Sequence, residues 1–358
     1  MLSKVYFTKA DGAEGEKAIC EKARRLFKAG DFAKCFTEND FTAVKVHVGE
    51  AGNTTHIKAP YIKGLVDELL ALKTKPFITD TSTLYSGQRR NAVDHITLAA
   101  EHGYSLGALG APFIAADGLM GTAETAVKIN AEVNEEVFIA DDIVRSQSIL
   151  SVAHFTGHPM ACAGATLKTL GMGCAGKKGK MKQHAALELS ITDDCTRCGL
   201  CAEYCPAGAI ALDDEKANID SEKCIGCAEC IVVCRFSAVK CNWVMESETL
   251  QVSTAEHALG ALKGKEGKAV FFNFLLSITK DCDCFDKPDM PNIVDDIGIL
   301  ASTDPVAVDQ AAIDLLEGAA GKKLGQLIGN AQLDAGHQIE HAQKIGLGSA
   351  KYELVKVD

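Results

Sequence analysis

The chain predicts an α/β host built on a mainly parallel sheet, discontinuous in sequence and carrying a small inserted α+β module. Three observations support this. Short β-branched runs alternate with amphipathic helical patterns, the signature of βαβ units with helices on both faces of a sheet. That rhythm stops near Gly171 and resumes after about residue 250. Between those points, eight of the fifteen cysteines crowd into residues 195 to 234.

In chain order, Lys4 to Thr8 reads as a strand and Gly15 to Ala29 as an amphipathic helix. Phe41 to Val48 is a strand, Ala59 to Leu72 a helix, Pro76 to Asp80 a strand and Asn91 to His102 a helix. Ala126 to Asn130, Glu136 to Ala140 and Ser148 to His154 follow as strands. Residues 171 to 182, Gly-Met-Gly-Cys-Ala-Gly-Lys-Lys-Gly-Lys-Met-Lys, read as a glycine- and lysine-rich loop, either a solvated hinge or an anion cradle of backbone amides and lysines. It lacks the Walker pattern, so ATP is not implied.

After the cysteine block, Ala255 to Lys263 is a helix. Lys268 to Thr279 is a buried strand and Asn292 to Ala301 a further strand. Asp304-Pro305 opens a helix with Asp as N-cap and Pro in the first turn. Asp334 to Ile345 is a helix and Tyr352 to Val357 a closing strand. The domain reading is therefore host 1–187, insert 188–249 and host 250–358. A length of 358 residues suits one large unit plus one small one.

Composition narrows the function. The formal net charge of -11 disfavours nucleic-acid phosphates and anionic lipid as partners. No apolar run reaches the roughly 18 residues needed to span a bilayer, and Met1 to Phe7 lacks an export signal. A cytoplasmic location is expected, and in that compartment the cysteines read as metal ligands rather than disulfides.

Their spacing is specific: Cys195-x2-Cys198-x2-Cys201-x3-Cys205-Pro206, then Cys224-x2-Cys227-x2-Cys230-x3-Cys234. In bacterial two-cluster ferredoxins the first three cysteines of each run hold one 4Fe-4S cubane and the fourth reaches across to the other. Cys195, Cys198, Cys201 and Cys234 are thus expected to hold one cluster, and Cys224, Cys227, Cys230 and Cys205 the second. Arg235 stands where proline is usual. Structural zinc is the competing reading, but it calls for four ligands in two separated pairs, not two crowded runs.

In the host, polar clusters fall at predicted strand ends, where open α/β sheets bind ligands. Lys45 and His47 lie two apart on one side of a strand, with Glu50 and His56 in the following loop. Asp80, Thr83, Tyr85, Arg89 and Arg90 follow the next strand, and His154 and His158 end another. Three such loops at one edge would form a polar pocket, against the plainer reading of surface or hydrogen-bonding histidines. Cys282-Asp-Cys284 reads as a metal ligand pair, a redox dithiol or merely two adjacent thiols. With Cys162 and Cys174 it would complete a further metal site. The remaining cysteines are Cys20, Cys35 and Cys241.

With Lys45 to Ile57, Asp80 to Arg90, His154 to Gly173 and the segment Gly298-Ile-Leu-Ala-Ser-Thr-Asp304-Pro305-Val-Ala-Val-Asp309, the chain resembles a family of bacterial and archaeal iron-sulfur centre proteins built on a domain of unknown function. The resemblance implies this host with an inserted ferredoxin, typically in anaerobes, and no agreed substrate. Ala161-Cys162-Ala163 departs from the glycine-rich stretch associated with that position.

The leading expectation is an oxidoreductase passing low-potential electrons through two 4Fe-4S clusters to a small anionic substrate or a cofactor in the host pocket. In it Lys45, His47, His56 and His158 bind substrate or move protons, Arg89 or Arg90 pairs with an anionic group, and Asp304 and Asp309 orient groups across the pocket. The alternatives are an electron carrier docking a partner enzyme and a metal or sulfur maturation factor using Cys282 and Cys284.

Overall fold

The computed structural model describes residues 2–184, 188–242 and 247–358. Eight strands, β1 (Ser3–Lys9), β2 (Phe41–Val46), β3 (Lys75–Asp80), β4 (Phe113–Ala115), β5 (Ser148–His154), β6 (Ala269–Leu275), β7 (Gly298–Ser302) and β8 (Tyr352–Lys356), form one sheet. Its order is β8-β1-β7-β6-β5-β2-β3-β4. Within it only β7 runs against its neighbours; the remaining pairings are parallel.

The central strands are buried on both faces, and the period of two along β6 shows how. Val270, Phe272 and Phe274 join the core against α1 (Glu16–Ala29) and α2 (Ala59–Ala71). Phe271 and Leu275 join the opposite core against α6 (Ser247–Leu262) and α7 (Pro305–Ala320), with α4 (Thr166–Gly171) and α8 (Gly336–Lys344) in the same layer. In α1 the buried residues Ile19, Ala23, Leu26 and Phe27 keep the helical spacing, and burying each large apolar side chain is worth about 1.5–3 kcal/mol. The cap read at Asp304 is present, its carboxylate accepting from Val306 N and Ala307 N at 2.9 Å.

This topology places the site. From β2 the chain moves to β3 and β4 on one side, then returns to β5 and β6 on the other. The switch point therefore lies between the C-terminal ends of β2 and β5, where open parallel sheets receive ligands.

Residues 188–242, the small unit referred to below, pair among themselves and pack on the host. Glu188–Ile191 pairs antiparallel with Val239–Asn242, and Ile210–Leu212 with Ala217–Ile219, beside short helices Leu200–Glu203 and Glu229–Val233. Its core, with Ile191, Ile210, Cys230, Ile231 and Val239, also takes in Leu84 and Met181 from the host. The expected boundary at 187/188 adjoins residues outside those described, and α6 runs across the one at 249/250.

Three sequence expectations need correction. The expected loop at 171–182 contains part of a helix, α5 (Lys177–Gln183), and is no solvated hinge, because Lys177 and Lys180 are buried. Carbonyls compensate them: Lys177 Nζ donates to Arg90 O at 2.8 Å and Lys180 Nζ to Ala175 O at 2.5 Å. The strand expected over Lys268–Thr279 ends at Leu275, since Ser277 takes a left-handed φ of 49° and turns the chain. The strand expected from Asn292 begins only at Gly298, leaving a single Thr279–Asn292 bridge.

Candidate functional site

Within the small unit, the eight cysteines of the two runs divide between two cavities. One is lined by Cys195, Cys198, Cys201 and Cys234 with Ile191 and Leu212. The other is lined by Cys205, Cys224, Cys227 and Cys230 with Leu189 and Ile210. Each therefore takes three cysteines from one run and the last of the other.

The two halves repeat down to the backbone. Left-handed φ recurs at the equivalent pairs Arg197 and Gly226, Gly199 and Ala228, and Gly208 and Ser237. Amides turn onto sulfur at matching places, Ala209 N donating to Cys205 Sγ and Ala238 N to Cys234 Sγ, both at 3.3 Å. Burial pushes the Cys230 thiol up to about 12, with Cys227, Cys224 and Cys201 adding repulsion.

A third cavity opens at the switch point in the host. Lys45 and His47 from the end of β2, Asp80, Tyr85 and Arg89 from the loop after β3, Lys168 from α4, Lys180 and His184 from α5 and its cap, and Cys284 all line it. Asp80 organises one wall. It accepts from Lys45 Nζ at 2.9 Å and pairs with Arg89 Nη1 at 3.3 Å, with His95 Nε2 at 3.7 Å. Burial alone would raise the Asp80 carboxyl, but Lys45, His47, His95 and Arg89 together hold it well below the usual carboxylate range. Arg89 also meets Glu50 Oε2 at 3.3 Å and the Tyr85 hydroxyl.

The opposite wall carries sulfur. Gly49 N donates to His47 Nδ1 at 3.0 Å, so the neutral ring carries its proton on Nε2, which faces Cys284 Sγ at 3.3 Å. Gly49, at φ 84°, has to be glycine, since a Cβ there would stand 2.6 Å from the His56 ring. The Cys284 thiol is held well below its ordinary value by a hydrogen bond from Cys282, assisted against burial by Lys168 and His47. Cys282 itself is pushed up by that bond and by burial, and the Lys168 ammonium acts electrostatically on both sulfurs.

A buried ion pair fixes this loop. His154 Nε2 faces Leu276 O at 2.7 Å and its Nδ1 faces Asp283 Oδ2 at 2.8 Å. Both partners only accept, so both nitrogens donate and the ring is cationic. Against the cost of burial, Asp283 raises the His154 pKa, and His154 lowers Asp283 to about 2. The sequence assigns no role to Asp283 or Lys168. The available signal was a histidine closing the wholly buried strand β5, because such a group needs a partner.

Of the host residues singled out in the sequence, Lys45 and His47 line the cavity, whereas His56 and His158 are not among its lining residues. His56 stacks on His102 at 4.4 Å, and burial, then Lys58 and His102, lower it to about 3. His158 Nδ1 accepts from Ala161 N at 2.8 Å, and burial lowers it well below its ordinary value. Asp304 caps α7, and Asp309 accepts from Thr166 N at 2.9 Å and Leu167 N at 2.8 Å at the start of α4, which occupies both carboxylates outside the cavity. Cys162 donates to Leu333 O and Cys174 to Thr169 O. Among the described residues, no three His, Cys, Asp or Glu side chains gather around a single-ion position. Nor is any helix among them long and apolar enough to cross a membrane.

The loop after β3 ties the host cavity to the small unit. Tyr85 and Arg89 line the cavity, Leu84 enters the core that holds Cys230, and Arg90 bonds Ile231 O and Ser237 Oγ. Lys240 Nζ reaches Ser86 Oγ at 3.2 Å.

A family described as "Domain of unknown function (DUF362)" matches residues 42–314. Shorter stretches are similar to proteins named as an oxidoreductase subunit, an iron-sulfur subunit and an electron transport protein. These include indolepyruvate oxidoreductase subunit IorA of Archaeoglobus fulgidus, 32% identical over 63 residues, covering 18% of this chain and 10% of that protein. A probable iron-sulfur subunit from the Frd operon of Proteus vulgaris is 31% identical over 68 residues, 19% of this chain and 41% of that protein. Electron transport protein HydN of Escherichia coli is 36% identical over 56 residues, 15% of this chain and 32% of that protein. The chain thus spans well under half the length of each of these relatives.

Proposed function

The chain belongs to the DUF362 family, and from that premise we propose that it is an iron-sulfur protein that transfers low-potential electrons through two 4Fe-4S clusters to a small anionic substrate in the host cavity. The observation that carries this reading is the crossed sharing of cysteines between two cavities, Cys195, Cys198, Cys201 and Cys234 around one and Cys205, Cys224, Cys227 and Cys230 around the other. Each set is four cysteines from two crowded runs, and amides turn onto Cys205 and Cys234. These features suit a cubane better than a single zinc ion. Each cluster, when bound, supplies one-electron chemistry at a potential tuned by such amides and by burial.

The chain's own residues support the rest. Lys45, Arg89, Lys168 and Lys180 set four cations against the single carboxylate Asp80 in the cavity lining, a surplus that selects an anion. Lys45 and Arg89 are paired with the Asp80 carboxylate, whereas Lys180 bonds only the neutral acceptors Ala175 O and Thr81 Oγ1, so the charges of Lys180 and Lys168 are the ones not matched by a carboxylate in the lining. His47 presents its Nε2–H at the cavity wall, in place to donate a hydrogen bond to charge that develops on a substrate as it is reduced. The shared loop of Leu84 to Arg90 keeps donor unit and cavity in fixed relation. Short similarity to proteins named as iron-sulfur and electron-transport components is in keeping with this role.

The test is selective ligand removal. Cys234→Ser is expected to lower bound iron from about eight to about four per chain, because it strips the cluster of the first run although Cys234 lies in the second. Iron loss confined instead to the centre of Cys224, Cys227 and Cys230 would refute the crossed assignment.

A further inference from the structure

We propose that Cys282 and Cys284 form a reversible disulfide at the wall of the host cavity, a two-electron store between the iron-sulfur unit and an anionic acceptor; this rests on the function proposed above. The two residues sit in one tight turn, closed by Phe285 N donating to Cys282 O at 3.2 Å. Residues two apart are at most about 7 Å between Cα atoms, and a turn draws them nearer, into the range a disulfide spans. Each thiol is near enough to shift the other's titration. Cys284 lines the cavity, whereas Cys282 is buried behind it, the arrangement of an attacking and a resolving thiol.

The surroundings give the two sulfurs different tasks. Cys284 faces the Nε2–H of His47 at 3.3 Å, a donor that favours sulfur as thiolate. The Lys168 ammonium, which acts electrostatically on both sulfurs, is a proton source for Cys282. Asp283, between them, is anchored by His154 at 2.8 Å, and its carbonyl accepts from Glu50 N at 3.0 Å, so the turn is fixed from both sides.

On reduction the S–S bond breaks with two electrons, supplied by an external low-potential one-electron donor in two successive transfers. Cys282 takes a proton from Lys168, which solvent restores, and Cys284 remains a thiolate against His47. In the reverse direction the Cys284 thiolate attacks a disulfide bound by Lys168 and Lys180, breaking its S–S bond to give a mixed disulfide on Cys284 and releasing the other half as a thiolate. Cys282, losing its proton, then closes on Cys284 and expels the reduced product, which takes that proton.

The experiment uses the whole chain purified without oxygen. Portions are oxidised with diamide or reduced with methyl viologen radical, free thiols are alkylated, and peptides are mapped by mass while iron, sulfide and zinc are counted. The expected result is a Cys282–Cys284 peptide lighter by two hydrogens and unalkylated after oxidation, and doubly alkylated after viologen. In a Cys198→Ser, Cys227→Ser variant oxidised by diamide to the same extent, viologen reduction is expected to slow at least tenfold. Both cysteines remaining alkylatable after oxidation, in protein with full iron and sulfide, would overturn the couple and leave the cluster reading standing. Equal reduction of the variant would overturn the relay. One zinc per chain released on alkylation would also overturn it, and protein without iron or sulfide would sink the underlying function as well.

Discussion

Replacing Asp80 with asparagine is expected to destabilise the host by about 3–5 kcal/mol, the usual consequence of removing one partner from a buried ion network. The carboxylate is 2% exposed and is the shared partner of Lys45 and Arg89, both at most 2% exposed. Without it two cations keep their burial cost and lose most of their compensation; Glu50 still meets Arg89 at 3.3 Å, but Lys45 retains only a long contact to Val46 O at 3.4 Å. The melting temperature is expected to fall by about 5–10 °C, with iron content unchanged because Asp80 touches none of the cysteines of the two runs. Adding Lys45→Met to the variant is expected to recover part of the loss, since it removes one orphaned charge. An unshifted melting temperature in Asp80→Asn would show that the network does not hold the cavity wall.

Asp283→Asn is expected to cost a similar amount, and its pH dependence is distinctive. His154 has its pKa raised in the folded state, so its contribution is fully present below the unfolded value of about 6.5 and is lost as pH rises through the higher folded value. Asp283 is lowered to about 2, so its contribution is present above the unfolded value of about 3.9 and is lost as pH falls through the folded one. The pair is therefore strongest between about pH 4 and 6.5. Thermal unfolding of wild type and Asp283→Asn across pH 4–10 is expected to show the largest gap below about pH 6.5, closing in alkaline buffer. A gap that widens with rising pH would contradict a cationic His154.

Both predictions rest on contacts that the sequence did not disclose, while much of the frame was legible. The β-branched runs at Phe41 to Val46 and Ser148 to His154 read as strands because burial on both faces leaves apolar or small side chains in nearly every position. The cysteine runs were legible because ligand spacing is local, three cysteines within seven residues. Lys45 and His47 were legible as a pair because strand geometry points alternate residues the same way. By contrast, His154 and Asp283 are 129 residues apart, and the turn at Ser277 that brings them together is a backbone event with no apolar period. Helix α5 was hidden by composition. Glycine and lysine signal a loop, but Gly179 is needed where a Cβ would meet Phe138 O at 2.1 Å, and the lysines are buried because carbonyls and Thr81 receive them. His56 looked like a site residue because its loop also carries Glu50, yet its ring is taken up by stacking on His102.

The most direct test of the central claim is to quantify iron and acid-labile sulfide in protein purified without oxygen and to record its EPR spectrum after dithionite reduction. The account predicts about eight irons and eight sulfides per chain, with the spectrum of two spin-coupled clusters. Zinc without sulfide, bound at the same cysteines, would contradict it.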